Sequence, residues 1–147
     1  MSDELCLPVR SDADMVPARA HARELANRLG FSRTDATLIA TAVSEIARNI
    51  VMHVGRGELE MQSILEDHRC GLRVVARDAG PGIPDIAMAL ESGFASRGGM
   101  GLGLPGARRL MDDFAIDSEP GRGTTVTMTK WRRFDELERL RERRRRG

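Results

Sequence analysis

The chain has 147 residues, 41% hydrophobic and 31% charged, with a formal net charge of +1. This length supports one domain with a single core, and the composition is that of a soluble globular protein without a run able to span a bilayer. The acidic N-terminus lacks the pattern of a signal peptide, and two cysteines give neither a disulfide framework nor a metal site. We therefore expect a cytoplasmic protein.

Charge is distributed unevenly along the chain. Residues 132–147 contain eight arginines and four acids, so this segment carries +4 and residues 1–131 sum to −3. We predict a domain over residues 1–131 and a basic tail over 132–147. The tail is expected to be a solvated, fraying helix, although docking on an acidic partner, nucleic acid or anionic lipid stays open. The scarcity of aromatic residues argues against single-stranded nucleic acid as the main ligand.

Hydrophobic periodicity and turn residues predict eight elements. In chain order these are a strand over 4–9, helices over 12–29 and 33–53, strands over 58–65 and 72–77, a helix over 104–113, and strands over 114–119 and 124–131. Gly30 is expected to end the first helix, and Ser32 with Asp35 resembles a capping box that begins the second. Eight of the fifteen glycines lie between Asp78 and Gly106, which predicts a loop there.

This order of elements predicts the fold class. The later strands follow one another in pairs joined by short turns, so the sheet should be antiparallel or mixed. A doubly wound parallel sheet is excluded because helices do not separate successive strands. We predict an α+β fold, a two-layer sandwich with helices covering one face of the sheet.

The second helix carries two polar residues that suit phosphate chemistry. Its apolar stripe, expected to face the sheet, consists of Ile39, Val43, Ile46 and Ile50. Glu45 and Asn49 are neighbours at i, i+4 on the flank of that stripe. A carboxamide oxygen can bind Mg²⁺, and a carboxylate can take a proton from a hydroxyl or water in line with a γ-phosphate. By itself, the pair also fits an ordinary solvated helix surface.

The glycine-rich segment predicts a nucleotide site. Asp78 follows a strand directly, where its carboxylate can accept the exocyclic amine of adenine. Gly80 and Gly82 would let the backbone approach a ring. The glycine run from Gly98 to Gly103 opens a helix, and amides at a helix N-terminus bind phosphate. No lysine follows a glycine loop, which excludes a Walker A motif, and the position in the chain excludes a dinucleotide fingerprint.

Four motifs in order resemble the N, G1, G2 and G3 boxes of the GHKL ATP-binding fold, also called the Bergerat fold. They are Glu45-x-x-x-Asn49, Asp78-x-Gly80-x-Gly82, Gly98-Gly99-x-Gly101-x-Gly103 and Gly121-x-Gly123-Thr124. The resemblance extends from about Leu5 to Trp131. Within this superfamily the chain resembles the anti-sigma-type serine/threonine kinases, and most closely the RsbT-like switch kinases of the bacterial stressosome.

The resemblance implies a role for each matching residue. Glu45 would be the general base towards a protein Ser/Thr hydroxyl, and Asn49 would bind Mg²⁺. Asp78 would accept the adenine amine, Gly80 and Gly82 would lie beside the adenine ring, and Thr124 or Thr125 would support the adenine pocket. The phosphates would be held by the backbone amides of Gly99, Gly101 and Gly103. ATP and Mg²⁺ are the implied cofactors. STAS-domain proteins are the implied substrates and scaffold, and a PP2C-type phosphatase is the implied target of the released kinase.

Three other functions stay open from the sequence. They are a W-type anti-sigma factor that also sequesters a sigma factor, an ATP-hydrolysing switch, and a binding module without turnover. The short turn Val54-Gly55-Arg56-Gly57 favours the switch kinase over the W-type.

For individual residues, we expect His53 to be packed, Cys70 to be chemically inert, and Arg48 to be exposed, either solvated or steering an acidic partner or the γ-phosphate.

Overall fold

The computed structural model describes residues 4–67, 69–80, 103–119 and 121–132. Its elements are β1 (Glu4–Val9), a one-turn 3-10 helix (Asp12–Asp14), α1 (Met15–Arg28), α2 (Arg33–His53), β2 (Gly57–Glu66), β3 (Arg69–Asp78), α3 (Gly103–Leu110), β4 (Asp113–Glu119) and β5 (Gly123–Trp131). None of the helices in these ranges is long and apolar enough to cross a membrane.

The five strands form one sheet in the order β1-β2-β3-β5-β4. Every neighbouring pair in this sheet is antiparallel. Alternate residues of β3 point to opposite faces, and the buried series Leu72, Val74 and Ala76 faces the helices. This arrangement confirms the predicted α+β sandwich.

Helix α2 lies at the centre of the core. Its apolar stripe is buried as predicted, with Ile39, Val43, Ile46 and Ile50 each 3% exposed or less. Residues of α1, α3 and the strands join the same hydrophobic cluster, among them Ala22, Leu25, Leu59, Met61, Leu104, Ala107 and Met128. Because α2 packs on the sheet and on two helices, even residues off the stripe have little contact with water.

The junction between α1 and α2 follows its sequence signals. Gly30 adopts a φ of +87° and its N–H donates to the Asn27 carbonyl, while the Phe31 N–H donates to the Ala26 carbonyl. This double hydrogen bond is a Schellman ending, which favours glycine because of the positive φ. Ser32 Oγ then accepts the N–H of Asp35 at 3.0 Å and caps α2. Both predicted helix signals are confirmed.

The third helix is shorter than predicted, because contacts with β5 compete for its end. Lys130 Nζ donates to the Leu110 carbonyl at 2.9 Å and thereby caps the helix. Asp112 is drawn into the sheet instead: its N–H donates to the Thr129 carbonyl, and its carboxylate accepts the N–H of Trp131 at 2.7 Å. The predicted helix to residue 113 therefore stops at Leu110.

Two expectations for side chains of α2 need correction. His53 is exposed rather than packed, because the buried part of the stripe ends at Ile50 and the helix ends at His53 itself. Arg48 is half-buried rather than exposed, and its Nε lies 3.4 Å from the sulfur of Met52 one turn later. The long side chain of Arg48 therefore lies along the helix.

Candidate functional site

Asp78 ends β3 with its carboxylate held in one orientation. Its Oδ1 accepts the N–H of Gly80 at 2.9 Å, a turn in which the side chain fixes the backbone two residues later. Within the part of the chain that the structure describes, Oδ2 has no hydrogen-bond partner. The half-buried carboxylate can therefore accept a donor from a ligand without losing its own support.

Two glycines bring the end of β3 against the last turns of α2. A Cβ on Gly57 would lie 2.5 Å from the Arg77 carbonyl oxygen, 2.9 Å from Ile50 Cγ2 and 3.3 Å from Asp78 Cβ. A Cβ on Gly80 would lie 2.7 Å from Val54 Cγ2. Both positions lack room for a side chain, so Asp78 lies beside Ile50 and Val54.

Glu45 and Asn49 lie further back along the same helix. Asn49 directly precedes Ile50, and Glu45 is about one turn, roughly 6 Å, nearer the N-terminus of α2. Only 9% of Glu45 is exposed, since α2 is covered by helices as well as by the sheet. Asn49 is half-buried. Helix α2 therefore carries two polar groups leading away from Asp78, one of them almost fully removed from water.

Strand β5 closes the site on the other side of Asp78. Thr124 pairs with Asp78 across the ladder, and its Oγ1 shares a 2.9 Å hydrogen bond with Ser118 Oγ of β4. Gly123 has a φ of +96°, and a Cβ there would overlap the Asp78 carbonyl oxygen. The backbone of β5 thus approaches the end of β3 as closely as only glycine permits.

The two candidate threonines of β5 lie on opposite faces of the sheet. Thr124 is buried on the helix side with Asp78. Thr125 pairs with Arg77 and lines a groove on the other face. Of the two residues predicted to support an adenine pocket, the structure brings only Thr124 to the site.

The glycine cradle is described only at its end. Gly103 begins α3, as the sequence predicted for the phosphate-binding helix. Gly82, Gly99 and Gly101 lie outside the described residues. Helix α3 packs on α2 through Leu104 and Ala107, which are 3% and 0% exposed, so its N-terminus is fixed relative to the helix that carries Glu45.

A groove of about 1190 Å³ opens beside Asp78, lined in part by Cys6, Glu58 and Arg77. Arg77 Nη1 contacts Glu60 Oε2 at 2.7 Å, and this hydrogen bond raises the pKa of Arg77 and lowers that of Glu60. Burial, and next the nearby Glu58 charge, raises the pKa of the Cys6 thiol. The arginine is thus engaged with Glu58 and Glu60 of β2.

Sequence reasoning missed the residues that hold this arrangement. Ile50 and Val54 form the α2 wall beside Asp78, Gly57 permits the contact, and Ser118 supports Thr124. The only feature of the sequence that indicated this close packing was Gly57 at the start of β2. The site nevertheless fits ATP: an acceptor for an amine, a carboxamide suited to a hard cation and a glycine-led helix N-terminus lie around one helix.

Comparison with known proteins identifies the family of the chain. The model of the family described as histidine kinase-like ATPase domain matches residues 9–130. The chain is 43% identical over 133 residues to the serine/threonine-protein kinase RsbT of Bacillus subtilis strain 168, covering 90% of this chain and 100% of RsbT. It is 38% identical over 101 residues to the anti-sigma F factor of Bacillus licheniformis, covering 64% of this chain and 68% of that protein.

The anti-sigma F factor of Caldanaerobacter subterraneus subsp. tengcongensis is similar too, with 32% identity over 99 residues that cover 63% of this chain and 68% of that protein. The match to the family model begins at the end of β1 and ends within β5, at residue 130. It therefore includes the residues around Asp78. The chain therefore belongs to the histidine kinase-like ATPase domain family and, within it, is a protein serine/threonine kinase of the RsbT type.

Proposed function

We propose that this kinase uses ATP and Mg²⁺ to phosphorylate a serine or threonine of a STAS-domain protein, as a partner switch in bacterial stress signalling. The observation that carries the proposal is the order of three polar residues. Asp78 lies at the end of β3 beside the C-terminal part of α2, and Asn49 and then Glu45 follow towards the N-terminus of α2. A nucleotide anchored by its base at Asp78 would extend its phosphates along this helix, towards Asn49 and then the buried Glu45.

Base recognition is assigned to the end of β3. Asp78 Oδ2 would accept the exocyclic amine of adenine, while Oδ1 remains bonded to Gly80. Thr124 supports the carboxylate side of the pocket, and Gly80 and Gly82 leave space beside the ring. Gly99, Gly101 and Gly103 would donate amides to the phosphates at the start of α3.

The phosphate end is assigned to Asn49 and Glu45. The side-chain oxygen of Asn49 would hold Mg²⁺, which neutralises charge on phosphate oxygens when bound. A carboxylate oxygen of Glu45 would take the proton of the acceptor hydroxyl. Burial of Glu45 keeps bulk water from its carboxylate, which favours a protein hydroxyl over water as the group that it deprotonates.

The partners are proposed from the similarity to RsbT. We expect a STAS-domain protein to be both substrate and scaffold, and the released kinase to activate a PP2C-type phosphatase. The kinase domain is assigned to residues 1–131 and the basic tail to 132–147. Residues 1–131 carry a net charge of −3, which would not attract nucleic acid and agrees with a protein substrate.

An anti-sigma factor is the second candidate, because two of the relatives reported above carry that name. The match to RsbT covers all of that protein, whereas the match to each anti-sigma F factor covers 68% of it. The short turn Val54-Gly55-Arg56-Gly57 also favours the switch kinase, and a side chain at Gly57 would clash with the Arg77 carbonyl oxygen.

Incubation with labelled ATP, Mg²⁺ and a purified STAS-domain protein tests the proposal. We expect label on the STAS protein, and its loss on adding a chelator or on replacing Asn49 with alanine. A W-type role would instead appear as stable binding to a sigma factor in the same preparation. Transfer that is unaffected by Asn49→Ala would contradict the assignment of the metal ligand.

Asp78→Asn should weaken ATP binding by about 10- to 100-fold, since one charge-assisted hydrogen bond contributes roughly 1.5–3 kcal/mol. GTP, which has no amine at the same ring position, should lose less. Isothermal titration with both nucleotides measures the difference. Asp117→Asn, on the other face of the sheet, is the matched control and should leave both affinities unchanged. Equal losses for ATP and GTP would remove Asp78 from base recognition.

A further inference from the structure

The face of the sheet opposite the helices has no other described element packed on it. Seven acidic and three basic side chains lie there, a net charge of −4: Glu4, Glu58, Glu60, Glu66, Asp113, Asp117 and Glu119, with Arg69, Arg73 and Arg77. Two of the three β3 arginines contact glutamates of β2, at 2.7 Å for Arg77 and Glu60 and 4.0 Å for Arg69 and Glu66. On β4, Asp117 has no ion pair with any described residue.

A shallow groove of about 570 Å³ runs along this face between the two acidic edges. Val75, Trp131 and the threonines of β5 line it, together with Arg69, Arg73 and Arg77 of β3. Trp131 is anchored at one end, where its Nε1 donates to Asp113 at 2.8 Å and the Arg69 guanidinium lies 3.7 Å from the ring centroid. The groove thus combines apolar side chains with the three arginines of β3, and acidic residues of β2 and β4 lie along its rims.

The chain leaves the sheet at one end of this groove. Arg132 follows Trp131 and is held by its N–H on the Cys70 carbonyl at 2.8 Å and by its Nε on the Gly30 carbonyl at 2.9 Å. The last described residue, Arg132, thus lies next to Trp131 at this end of the groove. Residues 133–147 lie beyond the described part of the structure and beyond the family match, which ends at residue 130.

The net charge of this segment is opposite to that of the helix-free face as a whole. Residues 133–147 contain seven arginines and four acids, a net charge of +3. Phe134, Leu137 and Leu140 recur every three residues, which places them on one side of a helix. Fifteen residues in a helix span about 22 Å, less than the roughly 30 Å of a nine-residue strand such as β5. The segment is long enough to lie along the groove and short enough to stay on it.

We propose that residues 133–147 dock as an amphipathic helix on the helix-free face of the chain's own sheet. The apolar side, with Phe134, Leu137 and Leu140, covers the groove beside Trp131 and Val75. The arginines lie over the acidic rim on β4, where Asp117 is available for pairing. This contact adds a third layer to the fold and prevents other proteins from binding to the open face of the sheet.

The sole tryptophan of the chain, Trp131, reports directly on this contact. Acrylamide quenching and the emission maximum of the full-length protein are compared with those of the double variant Leu137→Asp/Leu140→Asp. We expect displacement of the segment to increase the quenching constant and shift the emission to longer wavelength. Leu65→Asp is the matched control, because Leu65 is 81% exposed and away from the groove, and it should leave both values unchanged.

Charge reversal provides a second, independent test. Asp117→Arg should increase Trp131 quenching in the full-length protein, whereas Asp12→Arg, an exposed reversal next to α1, should not. Salt at about 1 M, where the Debye length falls to roughly 3 Å, should remove the difference between Asp117→Arg and the unmodified chain. Identical quenching in the unmodified chain and the double variant would overturn the proposal. Quenching that falls with rising protein concentration would overturn it too, since it would assign the segment to a second copy.

Discussion

Replacing Glu45 with glutamine should lower the rate of phosphoryl transfer by about 10²- to 10⁴-fold, the usual contribution of a general base. Glutamine has nearly the same volume and keeps hydrogen-bonding atoms at a position that is only 9% exposed, so the fold should be retained. ATP affinity should change little, because the assigned base and metal contacts belong to other residues. Single-turnover transfer to a STAS-domain protein, with nucleotide binding measured in parallel, separates the two effects.

The matched control for this substitution is Glu24→Gln on the exposed side of α1. It removes one carboxylate without touching α2, and transfer should remain at the level of the unmodified chain. If Glu45→Gln transfers phosphate at that level too, Glu45 is not the base. A loss of ATP binding as large as the loss of transfer would instead assign Glu45 a role in holding the nucleotide.

Gly123→Ala should lower the free energy of unfolding by about 3 kcal/mol or more, combining a strained positive φ with overpacking. The φ of +96° is unfavourable for alanine, and its Cβ would overlap the Asp78 carbonyl oxygen. The end of β3 must therefore move away from β5, taking the Asp78 carboxylate with it. Denaturant unfolding measures the stability, and nucleotide titration measures the accompanying loss of ATP affinity.

Gly121→Ala in the same turn isolates the contribution of the close contact. Gly121 also has a positive φ, +81°, but no atom lies within 4 Å of the Cβ that a substitution would add. It should cost only about 1 kcal/mol from backbone strain and leave ATP binding intact. Equal effects of the two substitutions on ATP affinity would show that the approach of β5 to Asp78 is unimportant for the site.

Local signals in the sequence were sufficient for most of the fold. Gly30 and Ser32 define the α1–α2 junction through hydrogen bonds that span five residues or fewer, so their effect is visible in a short window. The end of α3 was missed for the opposite reason. It depends on Lys130, which caps the Leu110 carbonyl from 20 residues further along the chain.

The sequence proposes the candidate site residues but does not give their arrangement. Sequence order identified Glu45, Asn49 and Asp78 as candidates, yet which threonine joins Asp78 depends on the register of β3 with β5. That register pairs Asp78 with Thr124 and turns Thr125 to the other face. His53 was misjudged because periodicity continues to the end of a helix, whereas burial stops where the sheet no longer faces it.

Mapping the phosphate after incubation with ATP, Mg²⁺ and a STAS-domain protein tests the central claim most directly. The account predicts stoichiometric, acid-stable phosphate on a serine or threonine of the STAS protein, identified by mass spectrometry, and none with Glu45→Gln in the same time. Release of free phosphate without modified protein would indicate an ATP-hydrolysing switch. Bound ATP that remains intact would indicate a binding module, and either result would contradict protein phosphorylation as the function of this site.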